Sequence, residues 1–385
     1  MNYTLINKEE DLKNYIDILK NSKCLAIDTE FIRNNKYYPQ LSLLQICYNK
    51  QQAIIIDCLA IDNIDAIIDI IYDDNIIKIF HSCNQDLEIF YYKKQYLPKN
   101  IFDTQIACLM LNYQKDISYE KMVKILLDVE IDKKLRTSNW TIRPLSKPQI
   151  KYAAMDVLYL YECYEIIKNK IQDTKKLDVL HNIFKKLENP QRYLPKLEQQ
   201  ANKIILPEHS KEHKLIINVL VAWRDNMAKK INIAKHLLLS NDIIKEIATI
   251  NDISMEILEP MLEQDGIAIY TKEIYQLIQN SQTDNSAVNL IFEANESILA
   301  KNHTYNLLKI ILTNIAQQKD LNEYLISTII TNQEELKQVA LSKNINIYKD
   351  WRYELFGKTL EDFFNGRISI KMINNEISLE YNNQI

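Results

Sequence analysis

The chain has 385 residues, 47% of them apolar and 25% charged, with a net charge of −4. That composition suits a soluble protein of two or three domains with a sizeable core. The only glycines are Gly266, Gly357 and Gly366, so the N-terminal part holds neither a Walker-type phosphate loop nor a dinucleotide fingerprint, both of which need glycine where backbone meets phosphate. No nucleotide cofactor is therefore expected. The acidic balance is not that of a typical nucleic-acid-binding chain, although bound divalent cations and local basic patches can reverse the local sign. All six cysteines precede residue 164 without a C-x-x-C pair, which reads as small buried hydrophobes in a reducing cytosol. The N-terminus is too polar for a signal peptide, and no apolar run approaches the ~18 residues of a membrane span. A cytoplasmic monomer is expected.

Residues 1 to about 170 alternate strand and helix. Tyr3–Ile6 reads as a short strand and Glu9–Lys20 as an amphipathic helix. Cys24–Ile32, Leu41–Tyr48 and Ala53–Asp57 read as three strands at hairpin-like spacing. Ile64–Ile71 is expected to be helical, Ile76–Phe80 a buried strand, and Asn84–Tyr92 the start of another helix. Ile101–Phe102 is a brief strand, followed by helices near 104–111 and 118–127, the first ended by Asn112 in a left-handed cap. A long helix is expected from about Pro148 to 170, capped by Ser146. The whole implies a mixed sheet covered by helices. Pro190, Pro195 and Pro207 punctuate a polar linker, 188–208, and the pattern after it is helical throughout. The expected domains are thus 1–187, 209–289 and 290–385.

The chemistry-bearing residues are scattered over the first 160 positions. Asp28 and Glu30 are two apart on a strand and share a face. The D-x-E spacing recurs at Asp86 and Asp128, so the strand setting is what distinguishes the first pair. Asp86 opens the helix after a buried strand, where an acidic residue also serves the helix dipole. Tyr152 and Asp156 are four apart on the late helix and share its face. Four carboxylates and one phenol arriving from distant segments describe a site for divalent metal with a helper for water.

The order strand D-x-E, junction Asp, helical Y-x-x-x-D resembles the DEDD superfamily of 3′→5′ exonucleases, tyrosine subclass, and more narrowly the ribonuclease D family. AIDTEF (26–31), YYPQLSLLQI (37–46), HSCNQDLEIFY (81–91), FDTQIA (102–107) and NWTIRPLSKPQIKYAAMDVLYLY (139–161) carry the resemblance. Residues 221–248 are similar to the helicase-and-RNase-D C-terminal (HRDC) domain, and 350–370 to the end of bacterial ribonuclease D chains. The resemblance implies an α/β nuclease domain with a ribonuclease-H-like mixed sheet flanked by helices, followed by all-α helical C-terminal domains: an HRDC-type domain at 209–289 and a second, degenerate copy at 290–385. It further implies two divalent metal ions, Mg²⁺ or Mn²⁺, with Asp28 bridging both, Glu30 and Asp156 completing the first site and Asp86 supporting the second. Tyr152 would orient the attacking water.

RNA with a free 3′ end, such as a tRNA precursor, is the substrate this implies. Gln45, Trp140 and Arg143 lie in family-like segments and are expected to touch bases or phosphates, and Lys133, Lys134, Arg136, Arg143, Lys147 and Lys151 form a basic stretch flanking the late helix. Arg224, Lys229, Lys230 and Lys235 flank Trp223 in the helical region, and both groups suit a single-stranded backbone. Two other readings use the same residues: a DNA 3′→5′ exonuclease of repair or proofreading type, and a non-catalytic nucleic-acid-binding adaptor.

Overall fold

The computed structural model describes residues 2–283, 302–373 and 376–382. The chain divides into two compact units. The first takes Met1–Glu30, Leu41–Pro190 and the described part of Glu296–Ile385; the second takes Phe31–Gln40 and the described part of Gln191–Asn295.

The first unit is built on a six-stranded sheet of order β1-β4-β3-β2-β5-β6. Its strands are β1 (Asn2–Ile6), β2 (Cys24–Ile32), β3 (Gln40–Asn49), β4 (Gln52–Asp57), β5 (Ile77–Phe80) and β6 (Ile101–Asp103). β3 and β4 pair antiparallel, with Leu44 opposite Ile56. β1 joins β4 in parallel, with Leu5 opposite Ile55. β2, β5 and β6 run parallel, with Ala26 opposite Ile79 and Ile79 opposite Phe102. The inner strands are apolar on both faces: Leu43, Leu44, Ile46, Ile54, Ile55 and Ile56 are fully buried, as expected of strands covered on both sides. Because β2, β5 and β6 point the same way, their carboxyl ends lie on one edge of the sheet. That edge is where α/β folds place ligands.

The helices of this unit's N-terminal part are α1 (Glu9–Lys20), α2 (Asp65–Ile71), α3 (Asn84–Lys94), α4 (Thr104–Met110), α5 (Tyr119–Leu127), α6 (Lys147–Lys170) and α7 (Thr174–Leu187). α6 begins with a reciprocal capping box: the Ser146 side chain receives the Gln149 N–H, and the Gln149 side chain receives the Ser146 N–H at 3.0 Å. Two orphan amides are thereby satisfied at the start of the helix that carries Tyr152 and Asp156. With glycine absent from this region, other residues make the left-handed turns. Seven of the ten non-glycine residues with positive φ among those described are Asn or Asp, Asn112 (φ 59°) included, the types whose short polar side chains tolerate that conformation best.

In the C-terminal stretch α14 (Asn302–Gln318), α15 (Gln333–Ser342) and α16 (Lys358–Phe364) are helical. Of the second helical block expected from about 290 to 366, positions 290–301 lie outside the described residues. The stretch belongs to the first unit and is joined to its N-terminal part by polar contacts. Lys176 Nζ reaches Asp320 Oδ2 at 2.7 Å, Asn112 donates to Asp320 Oδ1 at 2.9 Å, and the Lys115 ammonium lies 4.0 Å from the Tyr324 ring centre. The expectation of an all-helical C-terminus fails at its end, where β7 (Ile368–Ile373) and β8 (Glu376–Tyr381) form an antiparallel two-stranded sheet. ISIKMI and EISLEY alternate apolar and polar residues about a turn, which is the strand period.

The second unit is helical: α8 (Leu197–Ala201), α9 (Lys211–Ile231), α10 (Lys235–Leu238), α11 (Asn241–Ala248), α12 (Met255–Gln264) and α13 (Thr271–Thr283). α8 and the turn Pro190–Arg192 fall in the stretch expected to be linker. The β2–β3 connection docks on this unit, where Tyr37 Oη donates to Asp225 at 3.1 Å and Ala234 N–H to Asn35 O at 2.8 Å. Among the described residues no helix is long and apolar enough to cross a membrane.

Ser146→Ala should remove one half of the capping box and cost about 1 kcal/mol. Urea unfolding of the variant against the parent, at unchanged slope, measures it.

Candidate active site

Asp28 and Glu30 lie two apart on β2 and share a face, and Asp156 arrives from the third turn of α6. Each offers a carboxylate oxygen, and these three atoms lie within 4.8 Å of one another. Asp86, in the first turn of α3, stands outside this group of three. It is tied to it through the residue between the first two acids, since Thr29 Oγ1 donates to Asp86 Oδ1 at 2.6 Å. Tyr152, one helical turn before Asp156, is half-buried and packs against Trp140 with ring centres 6.1 Å apart.

The acids disturb one another strongly. Burial raises the Asp28 carboxyl to about 6, partly offset by the Thr29 N–H. Burial and then the charges of Asp28, Asp156 and Asp86 hold Glu30 well above the carboxylate range. Asp86 is raised by burial and by Asp28, against the Thr29 hydroxyl, and Asp156 by burial, Asp28 and Glu120. Burial and the charges of Asp156, Glu30 and Asp28 raise the Tyr152 phenol as well, so it stays protonated. Among the described residues no lysine or arginine forms an ion pair with any of the four acids. Buried carboxylates without counter-charge are costly, and a hard cation supplies what is missing. An all-oxygen donor set suits Mg²⁺ or Mn²⁺ rather than zinc. The residues present therefore fit a divalent metal.

The residues expected to touch nucleic acid fare differently. Gln45 is fully buried on β3 and its amide has no hydrogen-bond partner. Trp140 is 3% exposed, so it anchors the core rather than offering a stacking face. Arg143 grips Asp57 with two bonds, 2.6 and 2.7 Å, and also the Trp140 carbonyl. Arg224 is buried and bonded to the Leu239 carbonyl and the Asn241 side chain; Trp223, also buried, donates to Glu273 at 2.9 Å. Lys229 and Lys235 both pair with Asp225, at 2.9 and 2.7 Å. Burial pushes Asp225 up, but the two lysines together hold it below the usual carboxylate range. Six of these side chains are thus buried or bonded within the protein, and Gln45 is buried with its amide unpaired. Lys134, Arg136, Lys147, Lys151 and Lys230 are exposed; the Lys133 side chain lies outside the described residues. Glu120, whose charge bears on Asp156 and Tyr152, was not anticipated. Its place at the start of α5 gave no motif to find it by.

Residues 3–172 match the family described as 3'-5' exonuclease. The chain is 29% identical to ribonuclease D of Bartonella henselae, over 97% of this chain and 93% of that one. It is 34% identical to ribonuclease D of Gluconacetobacter diazotrophicus over 63% of this chain and 62% of that one. Its fold is that of Escherichia coli RNase D, with a TM-score of 0.78 at 21% identity, covering 95% of this chain and 99% of that one. Fold, acidic centre and matches together define a 3′→5′ exonuclease. The chain belongs to the ribonuclease D family and is an exoribonuclease.

A carboxyl whose folded pKa stands above its unfolded one holds its proton more tightly in the folded chain. The resulting stabilisation is full below the unfolded pKa near ~4 and is lost as the pH rises through the folded value, about 6 for Asp28. In EDTA the melting temperature should fall as the pH is raised from 4 to 7, and saturating Mg²⁺ should remove that slope. Calorimetric scans in the two buffers test it.

Proposed function

We propose that the acidic centre removes nucleotides one at a time from RNA 3′ ends, releasing nucleoside 5′-monophosphates, and that structured precursors such as tRNA are the substrates. The observation that carries this reading is the convergence of Asp28, Glu30 and Asp156 within 4.8 Å, with Asp86 tied to them through Thr29. The Escherichia coli protein of the same fold is an exoribonuclease involved in structured RNA processing, and the substrate class is extended from there.

Asp28, Glu30 and Asp156 would hold one divalent cation and Asp86, with Asp28, a second. When bound, these ions supply the acidity that makes water a nucleophile near neutral pH and stabilise the departing oxygen. Tyr152, kept protonated by the acids around it, orients the water by hydrogen bonding through Oη and does not act as the base. The water oxygen bonds to phosphorus and gives up a proton to solvent as the bond to the 3′ oxygen of the preceding nucleotide breaks, and that oxygen takes a proton from solvent. Exposed Lys147 and Lys151 precede Tyr152 on α6 and are suited to phosphate. The region 209–289 is read as the HRDC-type module, where Lys230 remains exposed for the RNA backbone.

Incubation with a 3′-extended tRNA and a matched DNA overhang tests the reading. The RNA end should shorten stepwise to 5′-monophosphates, EDTA should stop the reaction, and the DNA should be cut more slowly. Asp28→Asn should lower kcat by more than about 100-fold, the upper range for groups that only orient a ligand, with its circular dichroism unchanged. An active Asp28→Asn protein overturns the assignment.

A further inference from the structure

The segment FDTQ resembles the family pattern, yet none of its side chains joins the acidic group. Its role is visible in the hydrogen bonds. Asp103, 2% exposed at the end of β6, accepts from four backbone amides. Oδ1 takes Gln105 N–H at 2.8 Å, Ile106 N–H at 3.2 Å and Ser82 N–H at 3.3 Å, and Oδ2 takes Cys83 N–H at 2.9 Å. The first two bonds cap α4. The other two hold the turn that leads from β5 into α3, and α3 carries Asp86 in its first turn. Ser82 in that turn has φ 61°, a left-handed conformation that is strained for a residue with a β-carbon and needs its surroundings to keep it.

The chain of contacts continues from this turn. His81 next to it bonds Thr104 Oγ1 through Nδ1 at 2.9 Å and the Ile117 carbonyl through Nε2 at 3.0 Å. Its ring lies edge-on to Tyr119, with centres 5.6 Å apart. The Tyr119 phenol donates to the Met155 carbonyl at 2.8 Å. That carbonyl sits inside α6, where its first lone pair serves the helix and a second remains for the phenol. Met155 is the residue directly before Asp156. The path therefore runs unbroken from the turn that aims Asp86 to the helical step that aims Asp156, through β6 and the start of α5.

We propose that Asp103 and Tyr119 are positioning residues that set the spacing of Asp86 and Asp156, acting through the Ser82–Cys83 turn and the Met155 carbonyl. The inference rests on the reading of the acidic centre given above. Neither residue belongs to the acidic group; each fixes an element that carries one acid. Outer contacts of this kind change metal affinity or turnover by about 10- to 100-fold.

The mild variant is Tyr119→Phe, which removes one hydroxyl and keeps the ring against His81. Three measurements on the full chain are needed: turnover on a 3′-extended RNA, thermal unfolding, and Mn²⁺ binding without RNA by titration calorimetry. Tyr119→Phe should lower kcat about 10-fold, leave KM for RNA within about twofold, and weaken Mn²⁺ binding by at least about threefold, at an unchanged melting temperature. Asp103→Asn, which places an amide donor against the amide donors of the turn, should act in the same direction and more strongly. The control is Tyr348→Phe, which deletes a fully buried phenolic hydroxyl bonded to Thr331 in the C-terminal stretch; it should leave Mn²⁺ binding and kcat as in the parent. Parent-like Mn²⁺ binding and kcat in Tyr119→Phe overturn the proposal, as does a loss of activity that only follows a loss of melting temperature. An Asp28→Asn protein that still hydrolyses RNA points instead to failure of the reading of the site, and the inference falls with it.

Discussion

Like charges repel, and this fold spends much of its architecture on keeping four acids together regardless. Asp28 and Glu30 stand on a strand clamped between β3 and β5 in the middle of the sheet. Asp156 stands on a 24-residue helix with a complete capping box. Asp86 is tied to Thr29, the residue that separates the first two acids. The four carboxylates are attached to three different rigid pieces, β2, α3 and α6, so the repulsion cannot relax by moving one side chain. The consequence is a focus of negative potential that a hard cation relieves and that, among the described residues, no lysine or arginine relieves by an ion pair.

Elsewhere the chain neutralises charge internally. Asp57 takes Arg143, and Asp225 takes both Lys229 and Lys235. Asp225 also receives Tyr37 from the β2–β3 connection. What looks in the sequence like a basic face around Trp223 is in large part the inside of a cluster with its own anion. Of the described basic side chains expected to meet nucleic acid, those left in water lie before and at the start of α6 and on the last turn of α9.

The regular elements of the first 170 residues were legible because their signals are local. Apolar runs with period two or 3.6, the Ser146 cap and the Asn112 turn each announce themselves within a few residues. The closeness of Asp28, Glu30 and Asp156 could be inferred only from the joint order of motifs, since nothing in 26–31 refers to 156. The fates of Arg143 and Lys235 were illegible for the same reason: their partners lie 86 positions away and across a turn, respectively. Asp225 and Lys229, at i and i+4 on α9, were within reach of the helical pairing rule. The terminal hairpin was readable from its alternation and was hidden by the helical pattern before it. Asp103 and Tyr119 carry no catalytic signature at all. Their importance is a matter of which backbone atoms they meet.

The first unit draws on both ends of the chain, with the helical module inserted between. Lys176 and its partner Asp320 are 144 positions apart. At the usual pace of synthesis that interval is roughly ten seconds. During this time the sheet and its acids have left the ribosome while the segment that will brace them is still untranslated. The nascent nuclease thus passes through a stage in which α4 and α7 lack their neighbours, and chaperone binding or proteolytic nicking during biogenesis should concentrate on that stage.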